Sequence, residues 1–296
     1  MRRLAALALL ALAGCGASDG EGEGGAKAGA PSIVDPDGPA PIVNSLEVEP
    51  GSGRLLVTTN RGFFRIAPEG EPERIRGTVT ARGRSAPVGG FLEVLPIGPQ
   101  RLLGSGHPDV RGALPEFLGL LRSGDGGKTW SALSRLGEAD LHRMVEKHGR
   151  LYAFDAVLGA LLISDDGGRT FDERFAPQEA MVELEVDPGD PDRILLASEE
   201  TMFRSEDGGR RWRPLARLPG TRLAWPAEDR LYRAERDGRV SVSADGGDRF
   251  EPVGRVEGEP ARMKAVDAEH LYVVLEDGAI LETRDGALTW ESVYTP

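Results

Sequence analysis

SGDGGKTW, residues Ser123–Trp130, returns four times further along the chain, as Ser164–Phe171 (SDDGGRTF), Ser205–Trp212 (SEDGGRRW), Ser243–Phe250 (SADGGDRF) and Thr283–Trp290 (TRDGALTW). The aspartates Asp125, Asp166, Asp207, Asp245 and Asp285 are separated by 41, 41, 38 and 40 residues. Asp-Gly-Gly supplies the positive-φ residues of a tight hairpin, and the Ser/Thr hydroxyl and Asp carboxylate can both bond backbone amides inside the turn. The closing aromatic, Trp130, Phe171, Trp212, Phe250 or Trp290, is large enough to pack between neighbouring units. A turn repeated this regularly is a folding device, so none of the five aspartates is assigned a catalytic role.

A period near 40 residues fits one four-stranded blade of a β-propeller. The phrase resembles the Asp-box, or bacterial neuraminidase repeat, of sialidases, sortilin-type receptors and many secreted propellers. That resemblance implies an all-β fold but no particular chemistry, because one scaffold hosts many functions. A second phrase, a basic residue followed by aliphatic residues or Tyr, precedes each box and extends the count backward. Its copies start at Arg54, Arg101, Arg150, Arg193, Arg230 and His270. Six copies predict a six-bladed β-propeller with Asp-box turns, its blades at 43–77, 89–135, 140–176, 180–217, 221–254 and 261–296. The first blade has lost its box and keeps only Thr59–Arg65 and a turn near Pro68.

Each blade reads as an inner strand A, strand B at the basic phrase, strand C leading into the box, and strand D after its aromatic. The alternation of Leu46-Glu47-Val48 and of Val182–Val186 fits strand A. Because strands alternate in direction, the A–B turns and the boxes share one face. The B–C and D–A loops form the other, the mouth, where binding residues are expected.

The chain opens with MRRLAALALLALAGCGASDG. Arg2 and Arg3 precede an apolar run too short to span a bilayer, which reads as a signal peptide over 1–14. Leu12-Ala13-Gly14-Cys15 resembles the lipobox of bacterial lipoproteins, which implies that Cys15 is lipidated and held to the membrane by more than one acyl chain. Cys15 is also the sole cysteine, so packing without disulfides must hold the fold together. Residues 15–40 read as the lipidated Cys and a flexible tether rich in Gly, Ala, Pro and acids, and 41–296 as the propeller. The expected location is the cell envelope, lipid-anchored to the membrane and facing the extracytoplasmic side. A net charge of −12 argues against nucleic acid as a partner. Four of the 36 basic residues are Lys, an Arg bias that matches a GC-rich genome and lowers the weight of any single arginine.

The second blade carries the largest departure from the repeat, His107–Phe117 between strands B and C, where other blades use a few residues. A long loop on a regular scaffold is a natural binding element. The next D–A connection, Gly137–His142, falls on the same face of the adjacent blade. His107, Asp109, Asp140 and His142 are therefore expected to converge near the mouth, where two imidazoles and two carboxylates suit a divalent metal or an acid/base pair. The competing reading has Pro108 and Asp109 shaping a turn, Asp140 capping a loop and His142 lining strand A. Further mouth candidates are Asn44, Asp155, Glu179, Glu199, Glu200, Arg222, Glu235, Arg262 and Asp277, whose carboxylate excess favours a cationic or metal-bridged ligand. Gly106–Asp109 and Leu136–His142 are similar to phrases in predicted bacterial lipoproteins labelled glycosylhydrolase-like. Those proteins often open the first blade with His-x-His-Gly, whereas this chain has Val43-Asn44-Ser45-Leu46.

Sialidase chemistry needs an arginine cluster, a Tyr nucleophile supported by Glu, and an Asp acid. Tyr152, Tyr232 and Tyr272 occupy one equivalent position in three strands B and so read as packing residues. Tyr294 lies in the last strand, which leaves no tyrosine in a mouth loop and weighs against a sialidase. The first functional reading is a monomeric, surface-anchored lipoprotein whose mouth binds a protein, peptide or glycan without a complete catalytic set. A second is a glycan-acting hydrolase or metal-dependent enzyme using the His107/Asp109 and Asp140/His142 loops. A third is a membrane-complex assembly factor.

Overall fold

The computed structural model describes residues 33, 41–68, 70–108, 114–218 and 221–296, all within the unit Pro31–Pro296. The leader, Cys15 and Asp109 lie outside the described residues. Those described form strands, turns and bends, and among them no helix is long and apolar enough to cross a membrane.

The first sheet consists of β1 (Val43–Val48), β2 (Leu55–Thr59), β3 (Gly62–Ile66) and β4 (Glu73–Ile75) in sequential antiparallel order. The second is built from β5 (Thr78–Ala81), β6 (Arg84–Gly98), β7 (Arg101–Pro108), β8 (Leu120–Ser123) and β9 (Thr129–Ser134). The third contains β10 (Leu141–Lys147), β11 (Arg150–Asp155), β12 (Ala160–Ser164) and β13 (Asp172–Phe175). The fourth contains β14 (Met181–Val186), β15 (Ile194–Ser198), β16 (Thr201–Ser205) and β17 (Arg213–Arg217). The fifth contains β18 (Arg222–Ala227), β19 (Arg230–Ala234), β20 (Arg239–Ser243) and β21 (Glu251–Arg255), and the last β22 (Pro260–Ala265), β23 (Leu271–Leu275), β24 (Ile280–Thr283) and β25 (Glu291–Tyr294).

Five sheets are thus four-stranded meanders, and the second is closed on itself. Its extra strand comes from residues expected to link two blades. Arg82 and Gly83, both at positive φ (51° and 73°), turn β5 back onto the start of β6, as a two-residue hairpin loop requires. β5 then pairs in parallel with β9, Val79 opposite Trp130.

The apolar core lies between sheets, in six clusters each shared by two neighbours. Phe63 and Ile75 of the first sheet meet Val94, Leu121 and Trp130 of the second. Leu46 and Phe64 of the first meet Tyr272 and Ile280 of the last, so side chains close the ring across the seam between the chain's two ends. Ile33, in the segment read as tether, is fully buried in that seam cluster.

The Asp-Gly turns hold themselves together. In the turn at 123–130, Ser123 Oγ accepts the Gly127 amide at 2.9 Å, and Asp125 Oδ1 accepts the amides of Lys128 and Thr129 at 3.1 and 2.9 Å. Asp166, Asp207, Asp245 and Asp285 each accept the amide four residues on. The second glycine of the turn abuts the preceding sheet, since a Cβ at Gly168 would stand 2.2 Å from Leu120 Cδ2. Gly126, Gly208 and Gly286 donate to Gln100, Asp192 and Glu269 in the A–B turns. The boxes and the A–B turns therefore share one face, as strand alternation predicts.

Candidate functional site

The inner strands β1, β6, β10, β14, β18 and β22 neighbour one another in cyclic order and line a central channel. In five of them the pairing register slips near the mouth end, leaving Asn44, Leu92, His142, Val182 and Ala261 as the extra residue. A bulge re-aims the side chains beside it and frees a carbonyl from the ladder. The residues immediately after the slips are Ser45, Glu93, Arg143, Glu183 and Arg262, all of which line one small cavity.

The freed carbonyls hold the guanidiniums. Asn44 O accepts from both Arg143 Nη1 and Arg262 Nε, each at 2.9 Å. Val182 O accepts from Arg143 Nε at 2.5 Å, and Ala261 O from Arg222 Nε at 2.7 Å. Arg143 also meets Glu93 at 2.9 Å, while Arg222 stands 3.9 Å from Glu183 and 3.7 Å from Glu199. Among the described residues Arg262 has no carboxylate within 4 Å. Three arginines thus stand with three carboxylates, Glu93, Glu183 and Glu199, at the floor of the mouth.

Burial governs the charges there. It pushes the Glu93 carboxyl up to about 8, against the opposing pull of Arg143, and raises Glu183 as well. Burial, reinforced by the nearby Arg143, brings the Arg262 guanidinium down to about 9. Burial thus pushes Glu93 and Glu183 toward their neutral forms, while Glu47, Glu185 and Lys264 line the same cavity. At the rim, carboxylates are already engaged: Arg236 bridges Glu199 and Glu259, and Arg233 meets Glu235 at 2.6 Å. Asp155 and Asp277 cap their own turns through the amides of Val157 and Ala279, and Glu179 accepts from Ser198 Oγ.

His107, Asp140 and His142 lie together. His142 Nε2 is 3.0 Å from Asp140 Oδ2, and His107 Nε2 is 3.7 Å from Asp140 Oδ1. His107 Nδ1 donates to the Glu116 carbonyl at 2.8 Å, because a carbonyl can only accept. The other ring nitrogen of neutral His107 then presents a lone pair to Asp140 Oδ1, a buried oxygen without a hydrogen bond among the described residues. Two acceptors facing each other call for a proton or a cation between them. Among the described residues no group of three or more His, Cys, Asp or Glu is arranged to hold a metal ion.

The tyrosines pack as expected. Tyr152, Tyr232 and Tyr272 are buried, and the first two tie down the A–B turns of the following sheets, donating to Pro191 O and Ala268 O at 3.0 and 2.7 Å. Tyr272 donates to Glu282 at 2.7 Å, with Arg284 and His270 on the same carboxylate oxygen. This Tyr–Glu pair sits beside the boxes rather than at the mouth. Burial and Glu282 raise the Tyr272 phenol, which disfavours the phenolate a nucleophile needs.

Among solved structures, YCF48 from Cyanidioschyzon merolae is similar over 86% of this chain and 85% of its own, at 15% identity and a TM-score of 0.51. A chain of the nidogen/laminin complex is similar over 82% and 93%, at 12% identity and a TM-score of 0.58. The chain folds as a β-propeller. A GH74 xyloglucanase from Xanthomonas campestris matches 86% of the propeller chain with 38% of its own, at 17% identity and a TM-score of 0.50. At such identities the likeness is one of fold alone. No protein-family model matches the chain. Over 100 residues it is 32% identical to the dispase autolysis-inducing protein of Streptomyces mobaraensis, a match that spans 33% of the propeller chain and 26% of that relative's length.

Arg143 is not among the candidates read from the sequence, and Arg222 and Arg262 are there only as further mouth candidates. An Arg-rich composition hides a functional arginine. The bulges that aim Arg143 and Arg262 have no sequence signature of their own in this chain.

Proposed function

We propose that this chain is a surface-anchored lipoprotein whose six-bladed Asp-box propeller binds a protein, peptide or glycan at its mouth through a carboxylate of that ligand. The six-blade count takes the closed second sheet as one blade. The observation that carries the binding reading is Arg262, which stands beside Arg143 and, among the described residues, bonds only backbone carbonyls. Arginine forks match carboxylates in shape as well as charge. The cavity that Arg143 and Arg262 line is about 50 Å³, room for an ionic head group rather than a sugar ring. Similar folds occur in YCF48 and in the nidogen/laminin complex, which supports a macromolecular partner without specifying one. The lipobox at Leu12–Cys15 supports anchoring at the cell envelope.

Peptide and glycan arrays probed with the purified chain test the reading. Binding should vanish with Arg262→Gln and persist with Arg249→Gln, a change in a box turn on the opposite face. A ligand that ignores Arg262→Gln, or binding to neither array, would overturn it. Membrane fractionation of Cys15→Ser tests the anchor, with release from the membrane expected.

A second reading, a metal-dependent or acid/base enzyme acting on glycans, is favoured by Asp140 between two imidazoles with one oxygen unsatisfied. Metal analysis of the wild type and of His107→Ala, followed by a glycoside panel, decides it. Stoichiometric metal lost in the variant supports that enzyme, whereas unchanged metal content with no turnover removes it.

A further inference from the structure

Behind the mouth cavity the channel is crossed by a layer of ion pairs. Lys264 Nζ lies 2.7 Å from Glu47, and Lys147 Nζ lies 3.4 Å from Glu185. Beyond that layer, toward the A–B turns and away from the mouth, is a larger cavity of about 330 Å³. Its walls combine charged groups with the apolar residues Leu95, Pro96, Val145, Pro226 and Val266. Its volume falls at the low end of small-molecule sites, which are concave and apolar with a few placed polar groups.

The polar groups of this cavity are unusual for the chain. Two of the four lysines in a sequence with 36 basic residues stand here. A lysine ends in a compact ammonium on a slim stem, whereas an arginine fork would fill the space in front of it. Lys147 spends its donors on Val186 O and Trp225 O, both at 2.7 Å, and on Glu185. Lys264 is different. Among the described residues its ammonium meets Glu47 alone, and its side chain keeps 34% exposure. Glu185 in turn has only the 3.4 Å contact with Lys147. The cavity therefore offers one cationic donor and one under-used carboxylate beneath apolar walls.

The layer itself balances, with two ammoniums against two carboxylates, and the remaining carboxylate of the lining, Glu146, is exposed to solvent. A ligand of either net charge would enter this partly desolvated space without a countercharge, which is costly. A molecule that carries both signs and an apolar body meets each feature in turn. We infer that this cavity is a second binding site, for a free α-amino acid with an apolar side chain. Its carboxylate is held by Lys264, its ammonium by Glu185, and its side chain by Leu95, Val145 and Pro226. The charge states suit this, since burial, which would lower the Lys264 ammonium, is outweighed by Glu47 together with Glu185 and Glu93. The cavity shares Glu47, Val145, Glu185 and Lys264 with the mouth cavity but none of its arginines.

Calorimetric titration of the purified chain with leucine, valine and methionine tests the inference. Saturable binding is expected, weakened about tenfold or more in N-acetyl-leucine, which lacks the ammonium, and in leucinamide, which lacks the carboxylate. Lys264→Met should abolish it. Because that change also breaks an ion pair, Val266→Trp, which narrows the cavity and leaves the charges in place, should abolish binding too, with the fold verified by circular dichroism. Arg249→Gln should bind as the wild type does. Absence of saturable binding at millimolar amino acid, equal binding of the blocked analogues, or undiminished binding in folded Val266→Trp would each overturn the site.

Discussion

Arg262 Nε donates to the Asn44 carbonyl at 2.9 Å, a bond between the last inner strand and the first. No strand is shared across that seam: β1–β4 come from the start of the propeller and β22–β25 from its end. Among the described residues side chains close the ring, and Lys264 forms an ion pair with Glu47 across the seam. Lys264→Met should destabilise the chain by about 3 kcal/mol, the lower end for a broken buried pair because the lysine is partly exposed. Adding Glu47→Gln should recover most of the loss. Urea midpoints measure both, and a double variant as unstable as the single one would contradict the pairing.

Glu93 gives the stability a pH dependence. Burial lifts its carboxyl from 4.5 to about 8, so the folded chain holds this proton more tightly than the unfolded one. Its contribution is fully present below 4.5 and is lost as the pH rises through 8, a fall in stability across that window. Burial raises Glu47 and Glu183 too, which adds to the same slope. Glu93→Gln should flatten the decline between about pH 5 and about pH 9. Equal slopes in denaturation curves of the two proteins would remove Glu93 as a cause.

The box carboxylates act in the opposite sense. Hydrogen bonds from Arg211, first its side chain and then its amide, hold Asp207 at about 2, and those from Thr289 do the same for Asp285. Their contribution is present above 3.8 and is lost as the pH falls through 2. Asp207→Asn should lower the melting temperature at neutral pH while leaving the variant less sensitive to acid than the wild type. Parallel acid-denaturation curves would contradict this.

Two glycines separate backbone strain from packing. Gly149 has φ +71° with open space where a Cβ would stand, whereas Gly168 has φ +89° with Leu120 Cδ2 only 2.2 Å from a Cβ. Gly149→Ala should cost about 1 to 2 kcal/mol from strain alone. Gly168→Ala adds overpacking between sheets and should cost about 2 to 4 kcal/mol. Similar costs at the two sites would mean that the boxes do not lock neighbouring sheets together.

The repeat makes much of this fold legible because a tight turn can be built from few residue types. Asp-Gly-Gly and its closing aromatic mark the C–D turn each time, and strand alternation then assigns every loop to a face. The β5–β6 hairpin is legible in principle, since Thr78–Ala86 alternates around Arg82-Gly83, but it carries no box and so reads as a connection. Its parallel pairing with β9 depends on tertiary contacts that a single sequence does not encode locally. His107, Asp140 and His142 can be brought together from loop order alone. The arginine floor cannot, because bulges shift the inner strands by one residue and each such shift exchanges the side chains facing the channel.

Isothermal titration of acetate, against chloride at matched ionic strength, tests the mouth most directly. The arginine floor predicts saturable acetate binding by the wild type that is lost in Arg262→Met, with the variant still folded and at least as stable in anion-free buffer because an unbalanced buried charge has gone. Acetate heats that do not saturate, or that persist unchanged in Arg262→Met, would contradict it.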